Sequence, residues 1–164
     1  MKLIFLDIDG VLNSWEYAEK YNEDRVDKYD LWQESLDEDA IERLNEIVER
    51  TGGLVVISST WRMSFDSATL ENALMKLGFR GTIIGSTPVL RKSVQAKDGR
   101  WIHRGYEIEN WLNALGDSVE SYVIIDDDND MLESQQSNFV KTSVEYGLQD
   151  KQVERATSIL LELI

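Results

Sequence analysis

The chain has 164 residues, 42% hydrophobic and 9% aromatic, with no cysteine and a formal net charge of −14 from 31 acidic and 17 basic side chains. That length and apolar content fit one domain with a real core, and the missing thiols exclude disulfides and thiolate metal sites and suit a cytoplasmic setting. An acidic surface with no basic stripe excludes stable binding of duplex nucleic acid by counterion release, although a nucleic-acid end can still enter a locally basic pocket.

The start, Met1-Lys2-Leu3-Ile4-Phe5-Leu6, superficially resembles a signal peptide. Its apolar run ends at Asp7, too soon for a signal core or a membrane span. Leu3 to Ile8 is predicted instead as a buried strand, closing on Asp7-Ile8-Asp9-Gly10. Asp37 to Arg50 is predicted as a helix with Ile41, Leu44, Ile47 and Val48 on one face, stopped by Gly52-Gly53, and Ser35 with Glu38 offers a capping box before it. Leu54 to Ile57 is a second buried strand, ending at Ser58-Ser59. A helix from about Asp66 to Leu77 uses Leu70, Ala73, Leu74 and Leu77, and Thr82 to Ile84 is a short strand. A helix from about Gly105 turns Ile108, Trp111, Leu112 and Leu115 inward. Tyr122 to Ile125 is the next strand and runs into Asp126-Asp127-Asp128; Phe139-Val140 is a short last one. The final helix, from about Asp150, uses Val153, Ala156, Ile159, Leu160 and Leu163. The long stretches 14–36 and 85–104 take no assignment and are candidate flaps over the site.

Apolar strands alternating with amphipathic helices predict an α/β fold: a three-layer, Rossmann-like parallel sheet with helices on both faces. Asp7, Ser58 and Asp126, each following an apolar strand, then share the carboxyl edge of that sheet, where open α/β folds bind ligands.

At that edge two carboxylates, Asp7 and Asp9, repel each other unless a hard cation lies between them. A carboxylate is a competent nucleophile toward phosphorus, and a second one can protonate the leaving oxygen and then deprotonate water. Asp126, Asp127, Asp128 and Asp130 form a second acidic cluster, suited to completing an oxygen-ligand Mg²⁺ site but readable also as a solvated turn or a calcium site. Ser58 offers a hydroxyl and the N–H of Ser59 to phosphate oxygens, or merely terminates a strand. Arg104 is a candidate for balancing phosphoryl charge, with Arg62 as a second cation.

With those residues in order, the sequence resembles a haloacid dehalogenase (HAD) superfamily phosphatase. Asp7-Ile8-Asp9-Gly10-Val11-Leu12 is similar to the first motif, Val56-Ile57-Ser58 to the second, Arg104 to the basic third and Ile124-Ile125-Asp126-Asp127 to the fourth. Asn13, Ser58-Ser59-Thr60-Trp61-Arg62 and Arg104-Gly105-Tyr106-Glu107-Ile108 with Trp111-Leu112 resemble the small HAD domains associated with phage and bacterial nucleic-acid repair proteins. The resemblance implies Asp7 as nucleophile and metal ligand, Asp9 as general acid and base with its carbonyl on Mg²⁺, Asp127 as main acidic ligand and Asp126 as a nearby alternative. Lys92 and Lys97 rival Arg104 for the third motif, and the later acid of the fourth falls near Asp130.

Stretches 14–36 and 85–104, long for loops but small for a cap domain, imply a minimal cap and an open site, suited to a substrate that brings its own cover. Trp15, Tyr17, Trp32, Trp61 and Trp101 are candidates to stack on a base, or simply pack their loops. Ser59, Trp61 and Arg62 are the nearest substrate-binding candidates, and Arg91, Lys92, Lys97, Arg100 and Arg104 make the second stretch the most basic. His103, the sole histidine, reads as a surface residue or a neighbour of the leaving group. The expected activity is a Mg²⁺-dependent phosphomonoesterase acting through an aspartyl-phosphate on a nucleotide or nucleic-acid 3′-phosphate. A small-metabolite or protein phosphatase and a catalytically retired binding module are the alternatives.

Overall fold

Apolar strands that must hide both faces pair side by side. In the computed structural model, which describes residues 1–22, 35–90 and 103–163, they form one five-stranded sheet. The strands are β1 (Lys2–Leu6), β2 (Leu54–Ile57), β3 (Ile83–Ser86), β4 (Ser121–Asp126) and β5 (Phe139–Lys141). Their order is β3-β2-β1-β4-β5, and every neighbouring pair is parallel. Helices α1 (Trp15–Asn22), α2 (Glu38–Thr51), α3 (Ser67–Lys76), α4 (Arg104–Leu115) and α5 (Asp150–Leu160), with short 3-10 turns at Thr60–Met63, Gly116–Ser118 and Glu133–Asn138, complete the described elements. This is the Rossmann-like α/β architecture that the alternation predicts.

Side chains along a strand alternate between its faces, and the core divides accordingly. Ile4 and Leu6 of β1, Val55 and Ile57 of β2, and Val123 and Ile125 of β4 pack with Ile41, Leu44 and Ile47 of α2, Leu70 and Leu74 of α3, and Val153, Ala156 and Leu160 of α5. Leu3, Phe5, Val56 and Ile124 face the other way, onto Ile108 and Trp111 of α4. Burial on both faces leaves the carboxyl edge as the place where polar groups can gather. Leu6 pairs with Ile57 on one side and with Ile125 on the other. The residues after them therefore come level: the Asp7 N–H donates to the Ile125 carbonyl at 3.0 Å and the Ser58 N–H to the Leu6 carbonyl at 2.7 Å.

Several expectations need correction. β1 ends at Leu6 rather than Ile8, because the Ile8 carbonyl turns to accept the N–H groups of Val11 and Leu12. Stretch 14–36 opens with α1, whose first turn is held by the Ser14 hydroxyl accepting from the Tyr17 N–H at 3.2 Å. Its aromatic positions follow no helical period and Trp15 is exposed, which hid it from the sequence. Stretch 85–104 likewise starts inside β3 and ends inside α4. Residue Leu163 lies beyond α5 and is exposed rather than core. The candidates Trp32, Arg91, Lys92, Lys97, Arg100 and Trp101 lie outside the described residues. No helix among the described residues is long and apolar enough to cross a membrane.

The cap of α2 is Asp37, not Ser35: its carboxylate accepts from the Asp39 N–H at 2.9 Å. A side-chain oxygen there satisfies one of the orphan donors of the first turn, so Asp37→Ala is expected to lower stability by about 1 kcal/mol. Urea unfolding with an unchanged slope and a lower midpoint would register that loss.

Candidate active site

Asp7 sits one residue past β1 and is buried, and Asp126 closes the adjacent β4 and is buried too. With half-buried Asp127, each offers a carboxylate oxygen within 4.8 Å of the others. Burial raises the proton affinity of Asp7 to about 6, with Asp9 adding repulsion. The nearby Arg104 guanidinium, the Ser59 hydroxyl and the Ile8 N–H (2.7 Å) oppose that rise. Asp126 is pushed up to about 8, first by burial and then by the charge of Asp7, against the Asp128 N–H (2.9 Å) and Arg104. Asp127 is raised as well, by burial ahead of repulsion from Asp128 and Asp9.

Three carboxylates held together in this way suit a hard divalent cation with oxygen ligands. The backbone is shaped for the same cluster. Gly10 adopts a positive φ of 67°, and a Cβ placed on it would stand 2.5 Å from Cγ of Asp127. Only glycine allows this approach without displacing the carboxylate.

Ser58 follows β2 and is almost fully buried, yet its hydroxyl has no hydrogen-bond partner among the described residues. Such a group normally finds one. The Arg104 guanidinium donates to the Ser58 carbonyl and faces both Asp7 and Asp126. Position 104 opens α4, where Asp130 accepts the Arg104 N–H at 2.8 Å and its carbonyl the Gly105 N–H at 3.3 Å. Asp130 thus caps a helix. Asp128 is exposed and accepts from the Asn129 N–H at 2.7 Å. The acidic cluster is therefore divided: Asp126 and Asp127 join Asp7, while Asp128 and Asp130 serve the backbone.

Asp9 is exposed and is not one of the three grouped carboxylates, although its charge acts on Asp7 and Asp127. One of its oxygens accepts from the Trp61 indole N–H at 2.9 Å, the other from the Asn13 amide at 2.8 Å. The indole of Trp61 also packs against the core and Phe65. Ser59 is fully buried; its hydroxyl serves Asp7 and accepts from the Trp61 backbone N–H at 3.4 Å. Arg62 points inward instead of toward the edge. It donates to the Thr87 carbonyl at 3.0 Å, to the Ser59 carbonyl and to Glu107 in a buried ion pair. The other Glu107 oxygen accepts from the Leu90 N–H at 3.1 Å. Glu107 was missed, although its spacing of four from Trp111 puts an acid on the inward face of α4. His103 is exposed at the start of α4, with its ring 6.4 Å from that of Tyr106.

A parallel sheet whose carboxyl edge gathers acids from two adjacent strands, a serine from a third and an arginine from a helix start is the framework of a HAD-type hydrolase. A family model described as "HAD domain in Swiss Army Knife RNA repair proteins" matches residues 3–153, and the chain belongs to this family. No curated protein and no solved structure is a significant match.

Asp7 and Asp126 bind their protons more tightly folded than unfolded. The stabilisation this gives the metal-free fold is complete below about pH 4 and is lost as pH rises through about 6 and then about 8. In chelator, Asp126→Asn should therefore melt a few degrees above the unsubstituted protein at pH 8.5, with the gap closing toward pH 5. Adding Mg²⁺ should raise the melting temperature of the unsubstituted protein more than that of the variant. Gly10→Ala should weaken Mg²⁺ or Mn²⁺ binding by about tenfold or more, read by titration calorimetry, because it displaces Asp127.

Proposed function

We propose that this domain is a Mg²⁺-dependent phosphomonoesterase working through an aspartyl-phosphate on Asp7, with a nucleotide or nucleic-acid 3′-phosphate as its substrate class. The observation that carries this reading is the convergence of Asp7, Asp126 and Asp127 beside the Arg104 guanidinium and the Ser58 hydroxyl, which has no partner among the described residues. The ion would be held by Asp7, Asp126 and Asp127, with the Asp9 carbonyl as a further candidate. When bound, it would offset carboxylate and phosphate charge, allowing an anionic nucleophile to approach an anionic substrate.

A carboxylate oxygen of Asp7 attacks phosphorus, and the bond from phosphorus to the leaving oxygen breaks. Asp9, carrying a proton, gives it to that oxygen. Having become a carboxylate, Asp9 takes a proton from water, whose oxygen attacks the same phosphorus and releases phosphate and free Asp7. The Ser58 hydroxyl and the Ser59 N–H donate to phosphoryl oxygens, and Arg104 balances their charge. Arg104 also stands close enough to Asp7 to favour its ionised form, which is the nucleophile.

The substrate half of the proposal is supported by the family, described by its RNA repair context. It also fits the exposed position of Asp9, which leaves a bulky leaving group room to approach. Asp7→Asn should lower hydrolysis of a chromogenic phosphomonoester by at least about 10³-fold while the protein stays folded. Undiminished turnover in that variant, or turnover unaffected by removal of Mg²⁺, would refute the mechanism. Sugar phosphates cleaved far faster than 3′-phosphorylated oligonucleotides would refute the substrate class alone.

A further inference from the structure

The proposed general acid is a surface carboxylate, and an untethered surface side chain samples several rotamers. Asp9 is tethered at both oxygens. The Trp61 indole N–H reaches one at 2.9 Å and the Asn13 amide reaches the other at 2.8 Å. Neither donor is itself loose. The Asn13 side-chain oxygen Oδ1 accepts the Gly10 N–H at 2.9 Å, inside the turn that follows Asp9. The Trp61 ring is wedged against the core beside Phe65, and its backbone N–H is received by the Ser59 hydroxyl. That hydroxyl also bonds Asp7. A chain of contacts thus runs from Asp7 through Ser59 and Trp61 to Asp9, and on through Asn13 to Gly10.

We propose that Trp61 and Asn13 are positioning residues that fix the Asp9 carboxylate relative to Asp7, so that its proton is delivered to the leaving oxygen. This rests on the reading of Asp9 as general acid and base. It gives Trp61 a different task from stacking on substrate. The indole N–H is a donor only, so it orients the carboxylate without competing for the proton in transit. One short 3-10 turn, Thr60–Met63 with Ser59 as its cap, thereby sets the spacing of nucleophile and acid.

The test compares two leaving groups in the full chain with Mg²⁺. p-Nitrophenolate departs without a proton, whereas the alkoxide of a 3′-phosphorylated oligonucleotide needs one. The ratio kcat/KM reads the steps up to phosphoryl transfer. Trp61→Phe keeps an apolar ring in the wedge and removes only the N–H. It should lower kcat/KM for the oligonucleotide by roughly 10- to 100-fold and for p-nitrophenyl phosphate by less than about 3-fold. In an Asp9→Asn background the same change should add nothing. Asn13→Ala should show the same leaving-group bias and serves as the test if Trp61→Phe does not fold.

Equal losses on both substrates, no loss on either, or full additivity with Asp9→Asn would overturn the positioning role. If Asp9→Asn itself shows no leaving-group bias, Asp9 is not the acid, and the underlying reading falls together with this proposal. A bias in Asp9→Asn without one in Trp61→Phe and Asn13→Ala sinks the positioning role alone.

Discussion

Two carboxylates on neighbouring parallel strands, Asp7 and Asp126, are both buried, and the charge of Asp7 adds to burial in raising the hold of Asp126 on a proton. The fold imposes this. Leu6 lies opposite Ile125 in the register of β1 and β4, so the polar residues that follow emerge level with each other. Desolvation and like-charge repulsion both oppose ionisation there, and the rest of the carboxyl edge answers that cost. Arg104 supplies a positive charge, Ser59 a hydroxyl, and the Ile8 and Asp128 N–H groups their dipoles. A divalent cation is the remaining counter-charge in the proposed mechanism.

The turn after β2 is where these demands meet. Ser58 presents a hydroxyl with no partner among the described residues, Ser59 bonds the proposed nucleophile and Trp61 bonds the proposed acid. Such a turn must be stiff, and Arg62 makes it so by reaching the Ser59 and Thr87 carbonyls and Glu107. A buried ion pair contributes little net stability against an apolar pair of similar size, but losing one partner leaves an uncompensated charge inside. Arg62 and Glu107 thus tie the turn to the end of β3 and to α4, whose first residue is Arg104. Two arginines that looked alike in sequence do different jobs: Arg104 faces the carboxylates and Arg62 faces the scaffold.

Most of the framework was legible because both of its signals are strong in this chain. Near-continuous apolar strands and helical periodicity gave all five strands and four of the five described helices, to within a few residues. Helix α1 escaped because its aromatic positions carry no period and its cap, Ser14, is a residue equally common in turns. At the site, the convergence of Asp7, Ser58 and Asp126 could be anticipated from strand ends alone, whereas Arg104, at a helix start, competed in the sequence with Lys92 and Lys97. The division of labour among Asp126, Asp127, Asp128 and Asp130 could not, because it depends on which way each side chain leaves a tight turn. Nor could the partners of Arg62 and Trp61, since Glu107 and Asp9 are distant in sequence and meet them only through packing.

The acidic surface also acquires some structure. Arg43, Arg50 and Arg80 pair with Asp150, with Glu46 and Glu154, and with Glu42 and Glu49. Exposed pairs of this kind add little stability, and they involve acids of α2 and α5 rather than the carboxyl edge. The central claim is that Asp7 becomes covalently phosphorylated. A borohydride quench during turnover of p-nitrophenyl phosphate with Mg²⁺, followed by peptide mass spectrometry, tests this directly. The account predicts that Asp7, and no other residue, is recovered as its reduced alcohol, and only when substrate and Mg²⁺ are both present. Steady turnover with Asp7 unmodified, or reduction at a different carboxylate, would contradict it.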